Sequence, residues 1–491
     1  MKNNKSVKPQ RTIIMGGGLA GLAASYELSK AKKKVIVFEK WEDVGGLART
    51  IEKKGFRFDT GPHRWYAKND MVNNWMLKLM GKEVIRVPRL TRIYFDGKYF
   101  FYPIKLTNAL KGIGLTKSIS AVFDYLYSRI KARLFHPELQ TMEDGYINQF
   151  GKTLYETFFK RYSEKLWGVD CRKISIDWVG QRTRGLSVMT IIKDTFFKSK
   201  DVVSLVDEFS YPKNGIGGIA NKLSKETIRY GGEVFLNSDV TQIYHSENKI
   251  TEINIQDGKS NEKYVADNFI SSIPLNDLIL RLNPKVPAYI KLLADKLKYR
   301  DELQVALFIR KTHITPDTWI YVHPKNIPYM RVMEMDNWGD KLSPKGTTSL
   351  VFELACNEGD ALWKKADKEV IDMVSESYIK EFHQIDRSDI LGGYVHRVPK
   401  EYPVYHLDYK KDIDTIKEYL RKFTNLQLIG RNGTFRYNNM DHSIEMGLYA
   451  AWNLICGKNK YDIDSVNIER EYLEEKKIEN VDDIPLEKNE E

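Results

Sequence analysis

Residues 11–39 constrain the fold of this 491-residue chain more tightly than any other stretch. Arg11–Met15 reads as a buried strand and ends in Gly16, Gly18 and Gly21, spaced GxGxxG. Leu22–Lys30 then reads as a helix and Lys34–Glu39 as the next strand, completing a β-α-β unit. Gly16 permits the tight turn, Gly18 lets the backbone approach a pyrophosphate, and Gly21 lets helix pack on strand. The helix start adds free N–H groups and a positive dipole end for phosphate. Glu39 stands 18 residues after Gly21, where a carboxylate can accept hydrogen bonds from ribose hydroxyls. A glycine-rich turn in an unrelated α/β protein is the competing explanation; the flanking strand and helix, together with Glu39, weigh against it.

A chain this long needs two or three cores. Strand-like segments at 11–39, 232–273 and 426–429 lie far apart, which implies one nucleotide-binding domain assembled from separated pieces. We expect a disordered 1–10, a discontinuous nucleotide domain of 11–105, 201–285 and 400–457, an inserted helical domain over 106–200, a sheet-containing substrate domain over 286–399 and a charged tail over 458–491. With 77 basic and 66 acidic residues the net charge is +11. No nucleic-acid motif accompanies that excess, so nucleic acid is not an expected partner. The three cysteines are scattered and the nine histidines lack metal-ligand spacing, which predicts neither disulfide framework nor metal site. No apolar run reaches the ~20 residues of a membrane span, and cytoplasmic localisation is expected. The basic, amphipathic stretch Lys105–Phe135, with Ile119, Val122, Phe123, Leu126 and Ile130 on one helix face, is readable as a peripheral membrane contact or, with more weight, as a helix packed in the inserted domain.

Gly45-Gly46-Leu47-Ala48-Arg49-Thr50 directly follows the acidic strand. A second glycine pair with an arginine fork, after GxGxxG, resembles the FAD site of the amine oxidase/protoporphyrinogen oxidase superfamily, which includes phytoene desaturase and UDP-galactopyranose mutase. The resemblance implies an α/β fold: a Rossmann-like FAD-binding domain of the glutathione-reductase/amine-oxidase type, with an inserted helical domain and an antiparallel-sheet substrate domain. It places FAD against Gly16, Gly18, Leu19, Ala20, Gly21, Glu39, Lys40, Gly46, Leu47, Ala48 and Arg49, with Val240 making a backbone contact to adenine. Near the C-terminus Gly430, Arg431, Gly433, Tyr437, Asn439, Asp441, His442 and Ser443 resemble the GRxG…Y…NQDHS run of UDP-galactopyranose mutases, with Met440 in place of glutamine. Gly430, Arg431, Asn439, Met440 and Asp441 are expected at the flavin, where a helix start would stabilise negative charge on the reduced ring.

The mutase likeness also implies substrate residues. His63, after Thr60-Gly61-Pro62, is expected near flavin N5. Tyr102 and Lys105 match one segment, with lysine in place of glutamine. Tyr162 and Trp167 match another and are as readable as core residues. Arg182 and Arg310 are expected to hold a diphosphate, with Tyr402 and Tyr437 beside it. The implied activity is pyranose–furanose interconversion of a nucleotide sugar, with reduced flavin N5 as nucleophile and NAD(P)H as a possible reductant; an oligomer is possible. An FAD-dependent oxidoreductase of the amine oxidase, protoporphyrinogen oxidase or desaturase type remains the alternative, and a non-catalytic binding protein on the same fold the third.

Overall fold

The computed structural model describes residues 11–67, 69–102, 112–179, 208–258 and 260–467. Arg11–Met15, Lys34–Phe38, Glu233–Phe235, Asn268–Ser271 and Leu426–Leu428 form one parallel five-stranded sheet with Arg11–Met15 at its centre. Its inner strands carry buried apolar runs over residues 13–15, 35–38 and 269–270, as expected of a sheet covered by helices. Leu19–Lys30 packs between Gly217–Arg229 and Met440–Cys456. Gly447 permits the second contact: a β-carbon there would stand 2.2 Å from the carbonyl oxygen of Ala20. The parallel sheet and its helix layer agree with the α/β expectation, and every sheet segment carries a short apolar run visible in the sequence. The helix after the glycines begins at Leu19 and the last one at Met440, slightly earlier than the sequence suggests.

Of the strand-rich 230–273, only the two ends enter that sheet. Asp239–Ser246, Lys249–Gln256 and Asn261–Val265 form an antiparallel sheet of their own, joined by Leu282–Asn283.

A seven-stranded, mainly antiparallel sheet forms the second large layer, with Tyr299–Ile309 paired to both Thr348–Cys356 and Ile390–Pro403. Asp367–Phe382 packs on one face of it around Val370, Val374 and Tyr378. Thr91–Phe95 and Lys98–Phe101, assigned from sequence to the nucleotide domain, instead close one edge of this sheet through a parallel pairing with Trp319–Val322. Local strand pattern does not reveal which sheet a hairpin joins. Ile390–Pro403 likewise runs beyond the expected boundary at 399. The helices Leu115–Phe135, Met142–Phe150 and Arg161–Trp167 pack on the hairpin's other side around Phe100, Tyr146 and Phe158.

Candidate functional site

Two cavities meet between the layers. The larger, about 390 Å³, runs over the glycine turn and is lined by Gly16, Gly18, Leu19, Ala20, Glu39, Lys40, Gly46, Leu47, Ala48, Arg49 and Val240, then by Gly430, Arg431, Asn439 and Met440. Sequence reasoning named each of these. Gly46 sits where a β-carbon would come within 3.1 Å of Gly18 Cα, and Gly18 bridges Gly45, so two glycine turns face each other. Gly21 lies beneath the turn: its missing β-carbon would stand 2.1 Å from the Gly16 carbonyl oxygen, so it serves packing and does not line the cavity.

Glu39 accepts the Gly17 N–H at 2.7 Å and the Trp41 N–H at 3.0 Å. Burial raises its pKa, and the two N–H groups and Arg49 oppose that rise. Arg49 Nη2 donates to His396 Nε2 at 3.0 Å, and its buried Nε has no hydrogen-bond partner among the described residues. Asn432 Oδ1 on the cavity wall is likewise unpartnered among the described residues. A glycine cradle, a helix start and an unsatisfied guanidinium N–H fit a dinucleotide pyrophosphate.

Asn439 begins the last helix, its backbone N–H donating to His442 Nδ1 at 3.3 Å. Asp441, expected at the cofactor, is buried within the first helical turn and lines neither cavity, because a helix turns the second residue after its cap away from the mouth.

The second cavity, about 150 Å³, shares His63, Arg431, Asn439 and Met440 with the first. Tyr102, Tyr321, Trp319, Arg331, Glu353, Glu401, Tyr402 and Tyr437 complete most of its wall. Arg331 donates through Nε to Glu353 and through Nη2 to the Tyr402 hydroxyl at 2.9 Å. Arg431 Nη1 donates to Glu401 Oε1 at 3.3 Å, while its Nε donates to the Asn438 carbonyl at 2.9 Å. Tyr402 and Tyr437 stack with centroids 5.9 Å apart. Behind them Gln304 Nε2 donates to Glu302 Oε2 at 2.7 Å. Burial pushes Glu401 up to about 7, against the pull of Arg431, and pushes Glu302 well above the carboxylate range. His63 is held down to about 3 by burial and then by the positive Arg431 and Arg331, so its ring is neutral, with Nδ1 unpartnered among the described residues.

The placement corrects several substrate expectations. Arg310 is exposed at the end of Tyr299–Ile309 and touches neither cavity; its backbone N–H donates to the Asp389 carbonyl. Arg331 occupies the site instead. It opens the strand Arg331–Glu334, in register with Glu353 across the sheet, which turns it to the cleft. Trp167 is buried edge-on against Trp178 at 4.4 Å, behind Tyr402. Tyr162 stands behind Tyr321, centroids 5.6 Å apart, and does not line the cleft. Lys105 and Arg182 lie outside the described residues. Sequence reasoning missed Arg331, Glu353 and Glu401. The available signal was a charge inside an apolar strand pattern, as in TSLVFELA and YMRVMEM.

The model of flavin containing amine oxidoreductases matches residues 19–455. An L-amino-acid oxidase of Crotalus adamanteus is 41% identical over 70 residues, 14% of this chain and 14% of that enzyme. A probable UDP-galactopyranose mutase of Klebsiella pneumoniae is 24% identical over 173 residues, 34% of this chain and 42% of the relative. These matches therefore span less than half of either relative's length. A crystal structure of reduced UDP-galactopyranose mutase superposes with a TM-score of 0.78 at 19% identity, covering 94% of this chain and all of the other. Matched over most of its length, the chain belongs to the flavin containing amine oxidoreductase family.

Proposed function

We propose that the protein binds FAD in the larger cavity and acts as a UDP-galactopyranose mutase-like enzyme, interconverting pyranose and furanose forms of a nucleotide sugar held in the smaller one. The lining of the second cavity carries this reading. Its tyrosine hydroxyl, guanidinium and carboxyl groups suit a polyol with an anionic tail. Likeness to the reduced mutase structure over the whole of that chain supports it further. Bound in reduced form, FAD supplies a nucleophilic nitrogen, N5, for an anomeric carbon. Arg431, which lines both cavities, sets a positive charge where cofactor and substrate meet. Tyr402 and Tyr437 give the sugar stacked faces. Glu401, protonated in part near neutrality, can hold a proton beside an opening sugar ring. Neutral His63 offers a hydrogen bond without a competing charge.

Incubating dithionite-reduced protein with UDP-galactose and other nucleotide sugars should yield a ring-contracted product by chromatography, with no oxidant consumed. An amine oxidase is the second reading, favoured by the family description and by the segment shared with L-amino-acid oxidase. Oxidised protein that is bleached by an amine and ignores nucleotide sugars would sink the mutase and establish the oxidase.

A further inference from the structure

We propose that the outward face of the helix Leu115–Phe135 is a docking surface for an anionic lipid bilayer. The helix buries Ala121, Tyr125 and Ser128, at helical spacing, against Tyr146 and Phe150 of the neighbouring helix. A soluble surface helix would turn polar on its other side. Here Ile119, Val122, Phe123, Leu126, Ile130 and Leu134 recur every three or four residues on the opposite side, each between 48% and 68% exposed. Leu115 and Tyr127 extend the same stripe. At 1.5 Å per residue the helix is roughly 30 Å long, so the apolar stripe far exceeds the scattered exposed residues normal for a soluble surface.

Charge selects the occupant. Lys117, Lys131 and Arg133 are exposed on this helix and have no ion-pair partner among the described residues. Its one carboxylate, Asp124, is committed to the protein: it accepts the Thr153 N–H at 2.9 Å and the Thr153 hydroxyl at 2.6 Å. Arg129 is committed too, donating to the Asn148 carbonyl. Among the described residues of this helix, the charges left free are therefore all cationic. Two copies of this face would bring like charges together, whereas an anionic headgroup layer neutralises them while the stripe enters the acyl boundary. No described helix is long and apolar enough to cross a membrane, so this one would lie in the plane of the interface. The surface is independent of the reaction proposed above.

The flavin-loaded full chain should co-sediment with vesicles of phosphatidylcholine and phosphatidylglycerol in equal parts. Binding should be weak on pure phosphatidylcholine and fall as salt rises. Phe123→Glu combined with Ile130→Glu should lower the partition at least roughly tenfold, with flavin content and thermal midpoint unchanged. Lys131→Glu with Arg133→Glu should abolish the preference for the anionic vesicles. Equal partition onto neutral vesicles would overturn the proposal. So would a protein that ignores both vesicle types, whether it stays monomeric by light scattering or forms a dimer that the Glu substitutions dissociate.

Discussion

Gly18 caps the helix whose first turn holds Gly21, yet a methyl group added at each meets different surroundings. At Gly18 the nearest atom would be Gly46 Cα, at an ordinary 3.9 Å. Gly18→Val should therefore fold and lose its flavin, because the added carbons occupy the pyrophosphate's place; an unchanged flavin absorbance per protein would show that the cradle holds something else. At Gly21 the Gly16 carbonyl leaves no room, so Gly21→Ala should cost about 1–3 kcal/mol, read as a lower thermal midpoint. Glu401 supplies a titration. Its folded pKa, about 7, lies above the ordinary 4.5. Between those values the folded state holds a proton that the unfolded state has released, so this group's contribution to stability falls as pH rises. Glu401→Gln, which keeps an oxygen for Arg431, should flatten the decline of the unfolding midpoint between pH 4.5 and 7. Superimposable pH profiles for the two proteins would refute that role.

Among the elements, the turn carrying His63 depends on one buried carboxylate. Asp59 ends the strand Phe56–Asp59 and accepts the Thr50 hydroxyl at 2.6 Å, the Tyr211 hydroxyl at 2.5 Å and the Ile216 N–H at 3.1 Å. It thus ties two strands and the start of Gly217–Arg229 together, four residues before His63. Asp59→Ala leaves the buried Tyr211 hydroxyl and Ile216 N–H, and the half-buried Thr50 hydroxyl, without this acceptor and should cost at least about 2 kcal/mol; denaturant unfolding that matches wild type would contradict this. Thr60, Gly61 and His63 were legible from sequence as a segment, but their anchor was not, because Tyr211 lies 152 residues away. The same division runs through the site. The cofactor half is local, a strand, a glycine turn and a helix within twenty residues, and GxGxxG and GGLAR name their own roles. The substrate half is made by sheet register. Arg331 faces Glu353 only because two strands pair antiparallel, whereas the arginine that the resemblance pointed to, Arg310 in LFIR, is exposed at a strand end.

For the molecule as a whole, the two cavities behave as one object, since His63, Arg431, Asn439 and Met440 wall both. A cofactor in the first fixes four residues of the second, so binding at the two sites should be coupled, and coupling of affinities is reciprocal. Arg431 belongs to both walls and Arg331 to the second alone, which lets them be separated. Arg331→Lys keeps a cation beside buried Glu353, avoiding the cost of an unpaired buried charge, but loses the fork that reaches Tyr402. It should weaken UDP or UDP-sugar binding by roughly tenfold and leave flavin absorbance unchanged. Arg431→Lys should weaken both ligands, because that fork spans Glu401 and the Asn438 carbonyl at the shared wall. Calorimetry of UDP on flavin-loaded and flavin-stripped protein, for wild type and both variants, reads the coupling directly. Equal UDP affinity with and without flavin would mean the cavities act separately. Flavin loss in Arg331→Lys would mean that the second wall supports the first.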